Sequence, residues 1–187
     1  DKFQGSTPTT KPRAEIEIKP RFDYYGLQDV RNVVVHDFQA DELASNATIN
    51  KSIDVVVTNS LPLTFKNKGT ADGWASIKIP VRGLDFSGQR GVALSLSGNM
   101  SEVEETEVFV TLAAQNQFQR RQFMSTFIGS GIHQLIFDDT SHEGCDWGCN
   151  WRMDYEDIHF VEIKLELKAD EEIALLSLTG LAEKTEN

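Results

Sequence analysis

Short runs of β-branched or alternating apolar residues recur along this chain at close spacing, with Gly, Asn, Asp and Ser between them. Residues 74–80 show the pattern most clearly. Ala75, Ile77 and Ile79 share one face there, and Trp74, Ser76 and Lys78 share the other. A period of two over so few residues marks a half-buried strand. Residues 30–38, 53–58, 61–66, 91–98, 107–114, 122–128, 133–137, 159–167 and 173–181 extend the series. Only residues 41–47 offer a helical turn or two. Many short strands without crossover helices imply a two-sheet antiparallel β-sandwich, most simply a jelly roll.

At 187 residues the chain suits one domain with a real core. Residues 1–12 are polar and rich in Thr, Gly, Lys and Pro, the composition of a flexible leader or linker. Residues 13–20 alternate Ala14, Ile16 and Ile18 with charged neighbours, as an edge strand does. The domain is expected over residues 13–183, with a short tail at 184–187.

A formal charge of -11 argues against a nucleic-acid partner, since phosphate binding needs clustered Lys and Arg. It is equally unfavourable for anionic membrane surfaces, and fits neutral or cationic ligands. No run approaches the roughly 18 apolar residues of a membrane span, and no signal peptide is recognisable.

The stretch 138–151 breaks the strand pattern. It holds both cysteines, Cys145 and Cys149, and two of the three tryptophans, Trp147 and Trp151, among glycines and polar residues. Long loops of this kind tend to carry function. A Cys145–Cys149 disulfide would close a short loop and imply a secreted, periplasmic or cell-surface location. Two other readings stand beside it: free thiols, or a zinc site of His142, Cys145 and Cys149 with His36, His133 or His159 as a fourth ligand.

Three segments resemble the β-sandwich carbohydrate-binding modules attached to agarases and related marine-bacterial polysaccharide-degrading enzymes. Val33-Val34-Val35-His36-Asp37-Phe38 resembles an opening strand that ends in an acidic-Phe pair. Leu84-Asp85-Phe86-Ser87-Gly88 resembles the turn before a central strand. Residues 153–163, from Met153-Asp154-Tyr155 onward, resemble a late strand entry, and residues 174–181 take the place of a final strand. The chain departs from that pattern in lacking an aspartate in the last strand and in the length of its cysteine loop. The resemblance implies a galactose-binding-like jelly roll that binds a polysaccharide such as a marine galactan, as a monomer of the kind that is covalently linked to a catalytic domain. It also implies a structural Ca2+, for which Asp37, Asp41 and Asp157 are the candidate ligands, with Glu42 and Asp72 as further oxygen donors.

Sugars are bound by aromatic rings against their C–H faces and by polar groups at their hydroxyls. Trp74 lies on the polar face of its run, where a core tryptophan is out of place. Trp147 and Trp151 would supply further stacking surfaces, or else cap the core under their loop. Gln115, Arg120, Asn150 and Tyr155 are candidates to read hydroxyls, although residues 115–121 also read as a solvated hairpin turn.

Catalysis is not expected. The E-x-D-x-x-E strand motif of sandwich glucanases is missing, the Gln-Ile-His signature of sandwich alginate lyases is missing, and no Gly-x-Ser-x-Gly elbow is present. Two alternatives from other classes are a protein-interaction or assembly domain, with the tryptophan loop as its hot spot, and a sandwich-fold glycosidase or polysaccharide lyase.

Overall fold

In the strand Gly73–Pro80 the odd-numbered residues Ala75, Ile77 and Ile79 are buried, while on the other face Trp74 is exposed, Lys78 half-buried and Ser76 between them buried. The alternation read from sequence thus separates the core face from the outer face, with Ser76 covered on the outer one. The computed structural model describes residues 30–81, 89–114, 120–138, 142–143 and 158–183. Among these it has twelve strands and no helix: β1 Val30–Asp37, β2 Thr48–Lys51, β3 Val55–Thr58, β4 Thr64–Asn67, β5 Gly73–Pro80, β6 Gln89–Asn99, β7 Thr106–Ala114, β8 Arg120–Phe127, β9 Gly131–Asp138, β10 His142–Glu143, β11 Ile158–Leu167 and β12 Glu172–Glu183.

The strands form two sheets. One runs β3-β4-β12-β6-β9, with β1 pairing the distal half of β12 beside β4. The other runs β10-β8-β7-β11-β5-β2. Their pairings are antiparallel, so the fold is the expected all-β, two-sheet sandwich of jelly-roll type. Phe65, Leu94, Leu96, Phe137 and Leu175 from the first sheet meet Ile77, Val110, Leu112, Phe123 and Ile163 from the second, and all are buried. Each large side chain removed from water this way contributes about 1.5–3 kcal/mol.

The helical turn expected at 41–47 is absent. Ala40 and Asp41 close a turn on the Asp37 carbonyl, and Ala47 closes another on Ala44 (2.9 Å). Asp, Ser and Asn side chains in this stretch offer the backbone alternatives to helical bonding. The segment then enters β2, a strand with no sequence signal beyond Ile49, held by register against β5. Arg120 also differs from expectation. It begins β8 opposite Ala113 and does not sit in a turn. The edge strand expected at 13–20 lies outside the described residues.

Buried polar groups tie the sandwich together at one end. Glu171, 4% exposed, accepts hydrogen bonds from Ser101 N (3.0 Å), Lys168 N (2.8 Å) and the Thr106 hydroxyl (3.3 Å). The buried Asn67 amide donates to the carbonyls of Ala71 (2.9 Å), Leu167 (3.1 Å) and Lys168 (3.1 Å), and its Oδ1 accepts from Gly69 N. These side chains satisfy backbone groups that the turns leave without ladder partners. Gly98 marks close backbone approach in the first sheet, because a Cβ there would run into the Glu172 carbonyl oxygen.

Candidate functional site

Where a strand is buried on one face, its other face is a display. β5, β11, β7 and β8 lie side by side, and their registers assemble the residues of the outer face into rows, in which Ser76 and Ala113 are buried and the others reach the surface to different degrees. One row reads Pro80, Phe160, Ala113, Arg120. The next reads Thr48, Lys78, Glu162, Thr111, Gln122. A third reads Asn50, Ser76, Lys164, Phe109, Met124, and Trp74 stands opposite Glu166 beyond it.

Two phenylalanines therefore face outward on strands that otherwise send their apolar side chains into the core. Phe109 alternates with buried Val108 and Val110. Phe160 would share a face with buried Ile158, but the register shifts between them, and this irregularity at His159 turns Phe160 to the surface. Each ring carries an ammonium group: Lys78 Nζ lies 4.3 Å from the Phe160 centroid, and Lys164 Nζ 5.5 Å from that of Phe109. Lys164 also lies 3.8 Å from the Glu166 carboxylate.

Trp74 is 41% exposed, so it is not a core residue. Its backbone is clamped from both sides: Trp74 N donates to the Ser52 hydroxyl (3.0 Å), and Ser52 N donates to the Trp74 carbonyl (2.9 Å). A fixed backbone under an exposed ring lowers the ordering cost of stacking. Arg120, half-buried, stands at the diagonally opposite corner. Strand spacing and rise put the two corners roughly 14 Å apart across the sheet and roughly 20 Å apart along it. The face is large enough for several linked sugar units.

The other sequence candidates divide. Trp147, Trp151, Asn150, Tyr155, Gln115, Asp157 and the Cys145–Cys149 pair lie outside the described residues, as do the cysteine ligands of the zinc reading. Asp37 and Asp41 are neighbours at the exit of β1, with Asp37 Oδ1 accepting from Gln39 N (3.0 Å) and Asp41 N donating to the Asp37 carbonyl (2.8 Å). Among the described residues no group of three His, Cys, Asp or Glu side chains converges as a metal site would require. Asp72 is engaged elsewhere, 3.0 Å from Lys168 Nζ. That hydrogen bond, with the attraction of the Asp72 charge, holds the Lys168 ammonium above its ordinary pKa.

Phe109, Phe160, Lys78, Lys164, Glu162 and Gln122 were not singled out from the sequence. The alternation in Val108-Phe109-Val110 and Val161-Glu162-Ile163-Lys164 is the signal that could have placed several of them outside.

No protein-family model matches the chain, and no curated protein matches it. Solved structures do match. The family 11 carbohydrate-binding module of the cellulosomal cellulase Lic26A-Cel5E from Clostridium thermocellum superposes with a TM-score of 0.55 at 11% identity, over 85% of this chain and 98% of that one. The chain shares the jelly-roll fold of that module. A second structure of the Clostridium module, in complex with a β-1,3-1,4-mixed-linked tetrasaccharide, gives 0.55 at 10% identity, over 83% of this chain and 98% of that one. An agarase, AgWH50C, gives 0.56 at 14% identity over 83% of this chain, which corresponds to 25% of the agarase chain. The resemblance to sandwich carbohydrate-binding modules thus holds at the level of fold.

Proposed function

We propose that the chain is a noncatalytic polysaccharide-binding module whose binding surface is the outer face of β8, β7, β11 and β5. The observation that carries this reading is the set of outward aromatics, Phe109, Phe160 and Trp74, interleaved with Lys78, Lys164, Glu162, Thr111 and Gln122 in register across one sheet. Such a surface stacks against sugar C–H faces and hydrogen-bonds hydroxyls along an extended chain. The fold it shares with carbohydrate-binding modules supports the same reading.

In this account Arg120 reads hydroxyls at one corner and Trp74 stacks at the other. Trp147 and Trp151 add stacking surface, Gln115, Asn150 and Tyr155 add polar contacts, and a Cys145–Cys149 disulfide preorganises their loop. A marine galactan is the proposed ligand class, the protein acts outside the cytoplasm as a monomer, and a covalently linked catalytic domain is the natural companion. A structural Ca2+ at Asp37, Asp41 and Asp157 belongs to the same proposal. A calcium-dependent rise in melting temperature that Asp41→Asn abolishes would support it, and an unchanged melting temperature would remove it.

The test is retention on insoluble polysaccharides, with released reducing sugar assayed in the same samples. Retention by one polysaccharide without product release is the expected result. Sugar release that Asp154→Asn or Asp157→Asn abolishes would replace the module with an enzyme.

A further inference from the structure

We propose a second binding site, on the first sheet, that takes one uncharged pyranose unit such as the end of a polysaccharide chain. It is the cavity of about 330 Å³ between the segment that leaves β1 and the β3–β4 turn. This inference rests on the sugar-binding reading above, but on none of the residues of the sheet face.

The cavity has an apolar floor and a polar rim. Phe38 and Leu63, both buried, form the floor, and the half-exposed Leu61 adds an apolar side. Asp41 and Glu42 line one wall and Asn59 the other, with Glu42 and Asn59 exposed. A pyranose presents the matching chemistry. Its hydroxyls donate to carboxylate oxygens and accept from an amide NH2, and its C–H face covers aliphatic surface.

Both walls are fixed to β12. Phe38 N donates to the Leu176 carbonyl (3.0 Å) on one side, and Leu175 N donates to the Leu63 carbonyl (2.9 Å) on the other. Within the second wall the Thr64 hydroxyl donates to the Pro62 carbonyl (3.0 Å). Adjacent residues of one central strand therefore set the spacing of the cavity before any ligand arrives, which lowers the ordering cost of binding.

Charge and size narrow the ligand. The exposed Glu42 carboxylate at the rim, in a chain of net charge -11, disfavours sulfated or carboxylated sugars at this site. The volume lies at the small end of ligand pockets, which suits a single sugar and not a threaded chain. Because β1, β3, β4 and β12 all belong to the first sheet, a ligand here does not compete with one on the outer face of the second. A polysaccharide offering both a chain and an end can engage both sites, and the second contact is then an intramolecular one.

The experiment is amide chemical-shift mapping of the whole chain, titrated with glucose, galactose, mannose, glucuronate and the polysaccharides used for retention. The wild type is compared with Glu42→Ala and Asn59→Ala, two exposed positions whose substitution leaves the core intact. The expected result is shifts at Glu42, Asn59 and Leu61 with one neutral sugar, and an affinity lowered about tenfold in either variant. Shifts confined to Lys78, Phe160 and their neighbours, or unchanged affinity in both variants, would overturn the second site and leave the sheet face standing. Preferential binding of glucuronate at the cavity would overturn the charge argument. No shift with any sugar or polysaccharide would overturn this site together with the proposed function.

Discussion

Lys78 on β5 holds its ammonium group 4.3 Å above the ring of Phe160 on β11, and both residues face away from the core. The pair arises from register: Phe160 stands opposite Pro80 and Glu162 opposite Lys78, so the lysine reaches diagonally across the ladder. The Phe160 side chain remains partly exposed beside that cation, which leaves surface for a ligand. Phe160→Ala is expected to weaken polysaccharide retention about tenfold, as loss of a central aromatic contact does. Thermal unfolding in the same samples checks that the variant remains folded.

Trp74 makes the complementary case. Its side chain is exposed while its backbone is held by Ser52, so Trp74→Ala removes a stacking surface without opening a cavity. Weaker retention with a melting temperature within a few degrees of wild type is expected. A large fall in melting temperature with retention unchanged would mark Trp74 as structural.

Asn67 is a test of the fold alone. Its amide donates to three carbonyl oxygens around the β4–β5 and β11–β12 connections. Asn67→Asp replaces those donors with a carboxylate pointed at the same carbonyls and is expected to destabilise by about 3 kcal/mol, measured by urea unfolding. Glycan retention below the unfolding midpoint should not change.

Glu171 makes a parallel prediction at the same end. Removing its carboxyl in Glu171→Ala strands Ser101 N, Lys168 N and the Thr106 hydroxyl, at an expected cost of about 3 kcal/mol. Glu171→Gln keeps an acceptor and should cost less.

The Lys168–Asp72 pair sets a pH dependence. The folded lysine titrates above its ordinary value of 10.5, so its contribution is fully present below that pH and is lost as pH rises through the folded value. The pair lies at the surface, so Lys168→Met should cost less than about 1 kcal/mol near neutrality. That difference should vanish in strongly alkaline urea melts.

Sequence alone revealed the strands because a period of two is a local property. The ten strand runs expected within residues 30–181 are all strands, with ends moved by a few residues. β2 was invisible because its only apolar residue is Ile49, and its strand geometry comes from pairing with β5. The same locality limits what could be seen of the site. Trp74 stood out because it sat on a polar face. Phe109 and Phe160 did not, since a phenylalanine within a strand reads as core until its phase is followed residue by residue. For Phe160 the irregularity at His159 resets that phase. That β5, β11, β7 and β8 are neighbours depends on contacts between residues far apart in the chain. No local pattern encodes that adjacency, nor the roles of Asn67 and Glu171 in turns.

The most direct test of the binding face is affinity electrophoresis through agarose, porphyran, alginate, laminarin, xylan and cellulose derivatives. The wild type would run beside a Trp74→Ala/Phe160→Ala double variant shown to be folded. The expected result is that one polysaccharide class retards the wild type, that its own oligosaccharides relieve the retardation, and that the double variant runs free. Folded wild type that none of them retards, or a double variant retarded as strongly as wild type, would contradict it.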